Sequence, residues 1–248
     1  MGSAKPAEKE EVEKMESQVA ATGYSLYWIL FIGIAVASWI VSALLKRRIE
    51  KYSQVHISMT GKEVAEKMLR DNGITDVEVT CTKGQLTDHY NPANKTVNLS
   101  ETVYDKANVA AAAVAAHECG HAVQHDKAYA PLQLRSALVP VVSFSSKWVT
   151  WVLLAGMFCV ETFPILLEVG IALFALITLF SFITLPVEVD ASRRAVNWLQ
   201  EAGITDRETT EMASKALHSA AYTYVVAALS SLASLIYYIL VLMGGRRN

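Results

Sequence analysis

Four stretches of this sequence are long, apolar and almost free of charge, and they restrict the fold more than any other feature. Tyr24 to Leu45, Val169 to Val187 and Ser219 to Gly245 contain no Asp, Glu, Lys or Arg, and Ala137 to Val160 is interrupted only by Lys147. A helix needs about 20 apolar residues to cross a hydrocarbon core, so each stretch is read as a transmembrane span. A chain of 248 residues could not bury four such helices in a core of its own, which argues against a soluble fold. The first span is not a cleavable signal peptide, because Lys46-Arg47-Arg48 follows it where a small-residue cleavage site would stand. Within the second span, Lys147 is expected to face the helix bundle, an internal water pocket or the outer boundary.

The spans divide the chain into an acidic tail over 1-23, span one over 24-45, a polar segment over 46-136, a transmembrane hairpin over 137-187, a second polar segment over 188-218, and span four over 219-245. In the tail, Val12, Met15 and Val19 fall at helical spacing and allow a short amphipathic helix. Thr60-Gly61-Lys62-Glu63 reads as a capping box opening a helix that Gly73 ends, and Thr205-Asp206-Arg207-Glu208 reads as a second box. The shared Gly-Ile-Thr-Asp ending of Leu69 to Asp76 and Leu199 to Asp206 marks two similar helix stops rather than a repeat. Val77 to Thr82 and Lys95 to Leu99 alternate as strands, with Asn91, Pro92 and Asn94 between them, and suggest a small hairpin.

Basic residues set the expected orientation. Segment 46-136 holds twelve Lys and Arg, with Lys46, Arg47, Arg48 and Lys51 directly against span one, and segment 188-218 holds four more. The loop from Glu161 to Pro164 holds none. The positive-inside rule puts both polar segments in the cytoplasm and both termini outside, although Arg246 and Arg247 weigh mildly the other way. Three cysteines, Cys81, Cys119 and Cys159, are too few and too odd for a disulfide framework and suit a reducing compartment. With a net charge of -2 and no basic patch interleaved with aromatics, nothing points to nucleic acid.

The chemistry lies in His117-Glu118-Cys119-Gly120-His121, an HExxH sequence within an Ala- and Val-rich helical stretch over 107-125. Two histidines four residues apart share one helix face and can reach one Zn2+ ion, with Glu118 placed as the general base for an activated water. Hydrolytic zinc needs a third protein ligand and an open position. His125 continues the face but would stand too far along a straight helix. Glu188 stands where span three ends, 67 residues after His121, and the two spans between them return the chain to the same face. Asp190 is its competitor, unless it pairs with Arg193 or Arg194. The expected set is one zinc per chain on His117, His121 and Glu188, with Glu118 catalytic. Cys119 faces away from the zinc and packs.

With these residues in place, the chain resembles the YugP-type membrane zinc metallopeptidases, the zinc peptidase 2 family, over residues 46 to 243. Tyr52-Ser53-Gln54-Val55, Leu86-Thr87-Asp88-His89-Tyr90, Leu99-Ser100-Glu101, Ala116 to Ala122, Leu138-Val139-Pro140, Leu185-Pro186-Val187-Glu188 and Thr223-Tyr224-Val225 carry the likeness. It is more remotely similar to the HtpX and CAAX-prenyl proteases, in which the ligand glutamate opens a Glu-x-x-x-Asp helix; here Ser192 stands in place of that aspartate. The resemblance implies a mainly α integral membrane protein, with four transmembrane helices and a small α+β gluzincin-like zinc peptidase domain. It implies an endopeptidase acting on a protein or peptide substrate associated with the lipid bilayer. It also implies peptide binding by strand addition at Thr96 to Leu99, His89 and Tyr90 lining the cleft, and Tyr224 or His218 stabilising the oxyanion. The competing readings are a catalytically idle scaffold in a larger membrane assembly, which keeping every chemical residue argues against, and a transporter, for which the spans lack paired charges.

Overall fold

The computed structural model describes residues 6–245, and side chains from 28 to 244. The expected face of Val12, Met15 and Val19 and the terminal Arg246 and Arg247 lie outside the described side chains. Helix α1 (Pro6–Tyr52) runs unbroken through much of the acidic segment read as a tail. No proline falls between Ala7 and Tyr52 to stop it. Next come α2 (Gly61–Asp71), strands β1 (Glu78–Thr82), β2 (His89–Asn91) and β3 (Thr96–Ser100), a single turn α3 (Glu101–Tyr104), and α4 (Val109–Asp126), which carries the motif. Three long helices complete the chain: α5 (Ala130–Phe158), α6 (Pro164–Glu201) and α7 (Arg207–Gly245). Among the described residues, four helices are long and apolar enough to cross a membrane: Trp28–Tyr52 of α1, α5, α6 and Arg207–Gly244 of α7.

The apolar stretches read from sequence are the lower parts of longer helices. Segment 188–218 is the upper end of α6, a short turn and the start of α7, so both helices continue past their apolar portions without a break. Pro186 lies inside α6 two residues before Glu188 and leaves one carbonyl of the preceding turn without its helical partner. Both Gly-Ile-Thr-Asp stops have the same geometry: Gly73 and Gly203 take φ of 74° and 66°. The following Ile74 and Ile204 amides donate back to the Leu69 and Leu199 carbonyls at 2.9 and 3.1 Å, closing each helix with a Schellman-type turn.

The capping box at Thr60 and Glu63 is present. The second box is displaced by one residue. The Asp206 carboxylate accepts from the Thr209 amide at 2.8 Å and the Thr209 hydroxyl accepts from the Asp206 amide at 2.9 Å, because α7 begins at Arg207 and its third residue is therefore Thr209 rather than Glu208. The expected hairpin of the two longer strands is also corrected. Strand β3 is central and pairs parallel with β1, while β2 lies antiparallel on its other edge. Three residues of β2 carry too little alternation to be read as a strand.

The buried core lies where α2, β3, α4 and the upper ends of α6 and α7 meet, around Val64, Met68, Leu99, Val109 and Leu199. Full burial of one such side chain stabilises by roughly 1.5–3 kcal/mol. In α4, Ala110 to Ala113, Ala115 and Ala116 are all buried; their small side chains let neighbours close on this helix from several sides. In the apolar region, Gly156 and Gly170 let α5 and α6 pack backbone to backbone: a Cβ at Gly156 would fall 2.6 Å from Leu167 Cα. The opposite side of α5 is bare. Lys147 is exposed there, turned away from the bundle, which was one of the three settings expected for it.

Candidate metal centre

Helices α4 and α6 cross at Gly120, and the close approach is what assembles the site. A Cβ at Gly120 would stand 2.7 Å from the Ala191 carbonyl oxygen, so only glycine admits this contact. The crossing sets His117 and His121, one turn apart on α4, opposite Glu188 on α6. Glu188 Oε2 lies 3.3 Å from His117 Nε2 and 3.6 Å from His121 Nε2. One donor atom from each of the three residues falls within a span of 4.8 Å, close enough to hold one metal ion.

The donors are held by their neighbours. His121 Nδ1 donates to Gln124 Oε1 at 3.0 Å. The buried Gln124 amide in turn donates to the Val187 carbonyl at 2.8 Å and to Asp190 Oδ2 at 2.9 Å. Ser192 Oγ stands 3.1 Å from His117 Nδ1. Tying Nδ1 leaves Nε2 of both rings free to face a metal, the arrangement that orients ligand histidines. Two imidazole nitrogens and one carboxylate suit zinc, which takes N and O ligands in such catalytic sets. Desolvation opposes a charge on the buried His121, yet hydrogen bonding to Glu188 and the charges of Glu118 and Glu188 carry its pKa above the ordinary imidazole value.

Glu118 sits beside the trio, its Oε2 accepting from the Tyr90 amide of β2 at 3.1 Å. His89 Nδ1 lies 2.8 Å from the Thr87 carbonyl, and the Tyr90 hydroxyl lies 3.3 Å from His125 Nδ1. His125 belongs to that contact and not to the trio. Cys119 is buried behind α4, with Sγ 3.5 Å from the Ala65 carbonyl, and burial pushes its thiol pKa up. Asp190 pairs with Arg194 at 2.6 Å. Of the two oxyanion candidates, Tyr224 stands within electrostatic reach of Glu188, Glu118 and Arg135. His218 is tied by Nδ1 to the Ser214 carbonyl of its own helix at 2.7 Å and lines a cleft of about 250 Å³ between α6 and α7, which Ser192 also lines.

The strand expected to receive substrate is not available for it. Both edges of β3 are occupied by β1 and β2; the edge that meets Glu118 is the outer edge of β2. Two residues of the site were not singled out from sequence. Gln124 did leave a signal, three residues after His121 on the same helix side. Arg135, whose guanidinium lies 3.4 Å from Glu188 Oε1, left none, because only the docking of α5 brings it there.

Residues 27–243 match the family model described as "Putative neutral zinc metallopeptidase". The chain is also similar to the "Putative membrane protease YugP" of Bacillus subtilis (strain 168), at 40% identity over 224 residues that cover 88% of this chain and 99% of the relative. No solved structure matches the chain.

Proposed function

The chain belongs to the zinc peptidase 2 family, and from that premise we propose that it is a membrane-embedded, zinc-dependent endopeptidase that cuts proteins close to the bilayer surface on the cytoplasmic side. The observation that carries this reading is the convergence of His117, His121 and Glu188, with donor atoms within 4.8 Å of one another. In the proposed site these three hold one Zn2+ per chain. When bound, zinc acidifies a water molecule and polarises the scissile carbonyl.

The remaining steps are carried by the chain's own groups. Glu118 takes a proton from the attacking water at its carboxylate and delivers it to the leaving amine. Tyr224 donates its hydroxyl to the oxyanion that develops on the carbonyl. The peptide lies along the outer edge of β2, where Tyr90 N–H points away from β3 and offers a backbone hydrogen bond. In the structure this amide holds Glu118 instead, so a docked peptide competes for the donor that keeps the base in place.

The topology proposed for the chain follows the spans: residues 46-136 and 188-218 on the cytoplasmic face, the hairpin 137-187 and the helices at 24-45 and 219-245 in the bilayer. Glu188 comes one residue after the apolar part of α6, which supports a metal within about a turn of the lipid surface. The test is Glu118→Gln in purified protein. Its zinc content should match wild type, and cleavage of casein should fall by about 10²–10⁴-fold, as it should in wild type treated with a chelator. Wild-type cleavage by the variant would sink the mechanism.

A further inference from the structure

An exposed lysine in the middle of an apolar helix needs an explanation. Helix α5 has 29 residues and packs on α6 through Ser145, Val149, Leu153 and Gly156. Lys147 points almost directly away from that face by helical spacing, and it is exposed. At 1.5 Å per residue it lies about 16 Å from Phe158 and about 15 Å from Ala137, where the apolar stretch begins. From there its four-carbon stem reaches neither surface. Among the described residues Lys147 has no hydrogen bond or ion pair, and a bare ammonium at that depth in lipid is strongly unfavourable.

A line of polar residues runs through the exposed hydrophobics Phe144, Trp148 and Trp151 of this side. Ser143, Ser146, Lys147 and Thr150 recur at i, i+3, i+4 and i+7, all exposed, forming one polar stripe along the outer side of α5. Small hydroxyl residues on a transmembrane helix let another helix approach closely and bond across the gap. We propose that this stripe is the docking surface for a transmembrane helix of a different protein, one carrying an aspartate or glutamate near its own middle. The charge of Lys147 dictates the partner's carboxyl group, and its depth dictates where that group stands.

A second copy of this chain does not meet the requirement. Two-fold pairing through the same face would set Lys147 against Lys147. The carboxylate of Glu168 lies about 6 Å from the start of α6, too near the hairpin end to meet Lys147 of a neighbour.

The inference rests on the reading that α5 crosses the bilayer, and the experiment separates the two. The full chain, with Cys81 replaced by serine and an acceptor dye on exposed Cys159, is reconstituted in phosphatidylcholine vesicles. The probes are donor-labelled leucine–alanine transmembrane peptides with glutamate or leucine at the central position. Energy transfer should report roughly tenfold tighter association of the glutamate peptide, and Lys147→Met should abolish that preference while leaving zinc content unchanged. Equal association of the two peptides overturns the proposal. So does a preference that survives Lys147→Met, or self-association of the protein that excludes the peptide. A fluorophore on Lys147→Cys in a cysteine-free background should be quenched by lipids brominated at the ends of their acyl chains. Absence of that quenching overturns the crossing of α5 itself, whereas quenching without peptide preference overturns only the docking surface.

Discussion

At the scale of single residues, the trio was legible because its chemistry depends on local spacing and on a count of spans. Two histidines four apart need only a helix, and Glu188 needs only an even number of crossings before it. The groups behind the ligands depend on how helices dock, so they were legible only in part. Ser192 stood out as a missing aspartate; the structure gives its hydroxyl a place beside His117. Two outcomes follow. Glu188→Ala should leave the purified protein with little or no zinc by elemental analysis, and undiminished zinc would remove Glu188 from the ligand set. Ser192→Ala and Gln124→Ala should each weaken zinc binding about 10–100-fold, measured by competition with a chelator. Gln124→Ala should also lower thermal stability, since it removes two buried hydrogen bonds, to the Val187 carbonyl and to Asp190.

Among the elements, the four long helices were evident because a bilayer demands long charge-free runs. Their continuation above the bilayer was not, since amphipathic segments such as 188–201 and 207–218 read as a separate polar region. The sheet was the least legible part: the parallel pairing of β1 with β3 follows from tertiary contacts, and β2 is too short to show a period. The crossing of α4 and α6 gives the sharpest prediction at this scale. Gly120→Ala should place a methyl group 2.7 Å from the Ala191 oxygen and force the two helices apart. The expected cost is about 1–3 kcal/mol, read as a lower unfolding temperature in detergent together with loss of zinc. A variant with wild-type melting and full zinc content would show that the helices can yield at this point without opening the site.

For the whole molecule, the proposed orientation rests on charge rather than packing. Arg48 ties the end of α1 to α7 through the Lys215 carbonyl at 3.0 Å and the Ser219 hydroxyl at 2.6 Å; these basic residues border the proposed cytoplasmic face. Single cysteines at Asn94 and Glu161, both exposed, in a chain otherwise free of cysteine test it with an impermeant maleimide on intact cells. Position 161 should react and position 94 should not. The reverse pattern would place the protease outside the cell.

The proposed ligand set is also divided in time. When His121 has been added to the chain, Glu188 is still 67 residues away; at 5–20 residues per second that is roughly 3–13 s of translation. Until the hairpin of α5 and α6 has been made and threaded into the bilayer, the nascent chain has the base and two donors but no complete centre. In the proposed reading the chain therefore stays inactive at least until Glu188 has been made. On that reading, completion of the centre is tied to insertion of the α5–α6 hairpin into the membrane.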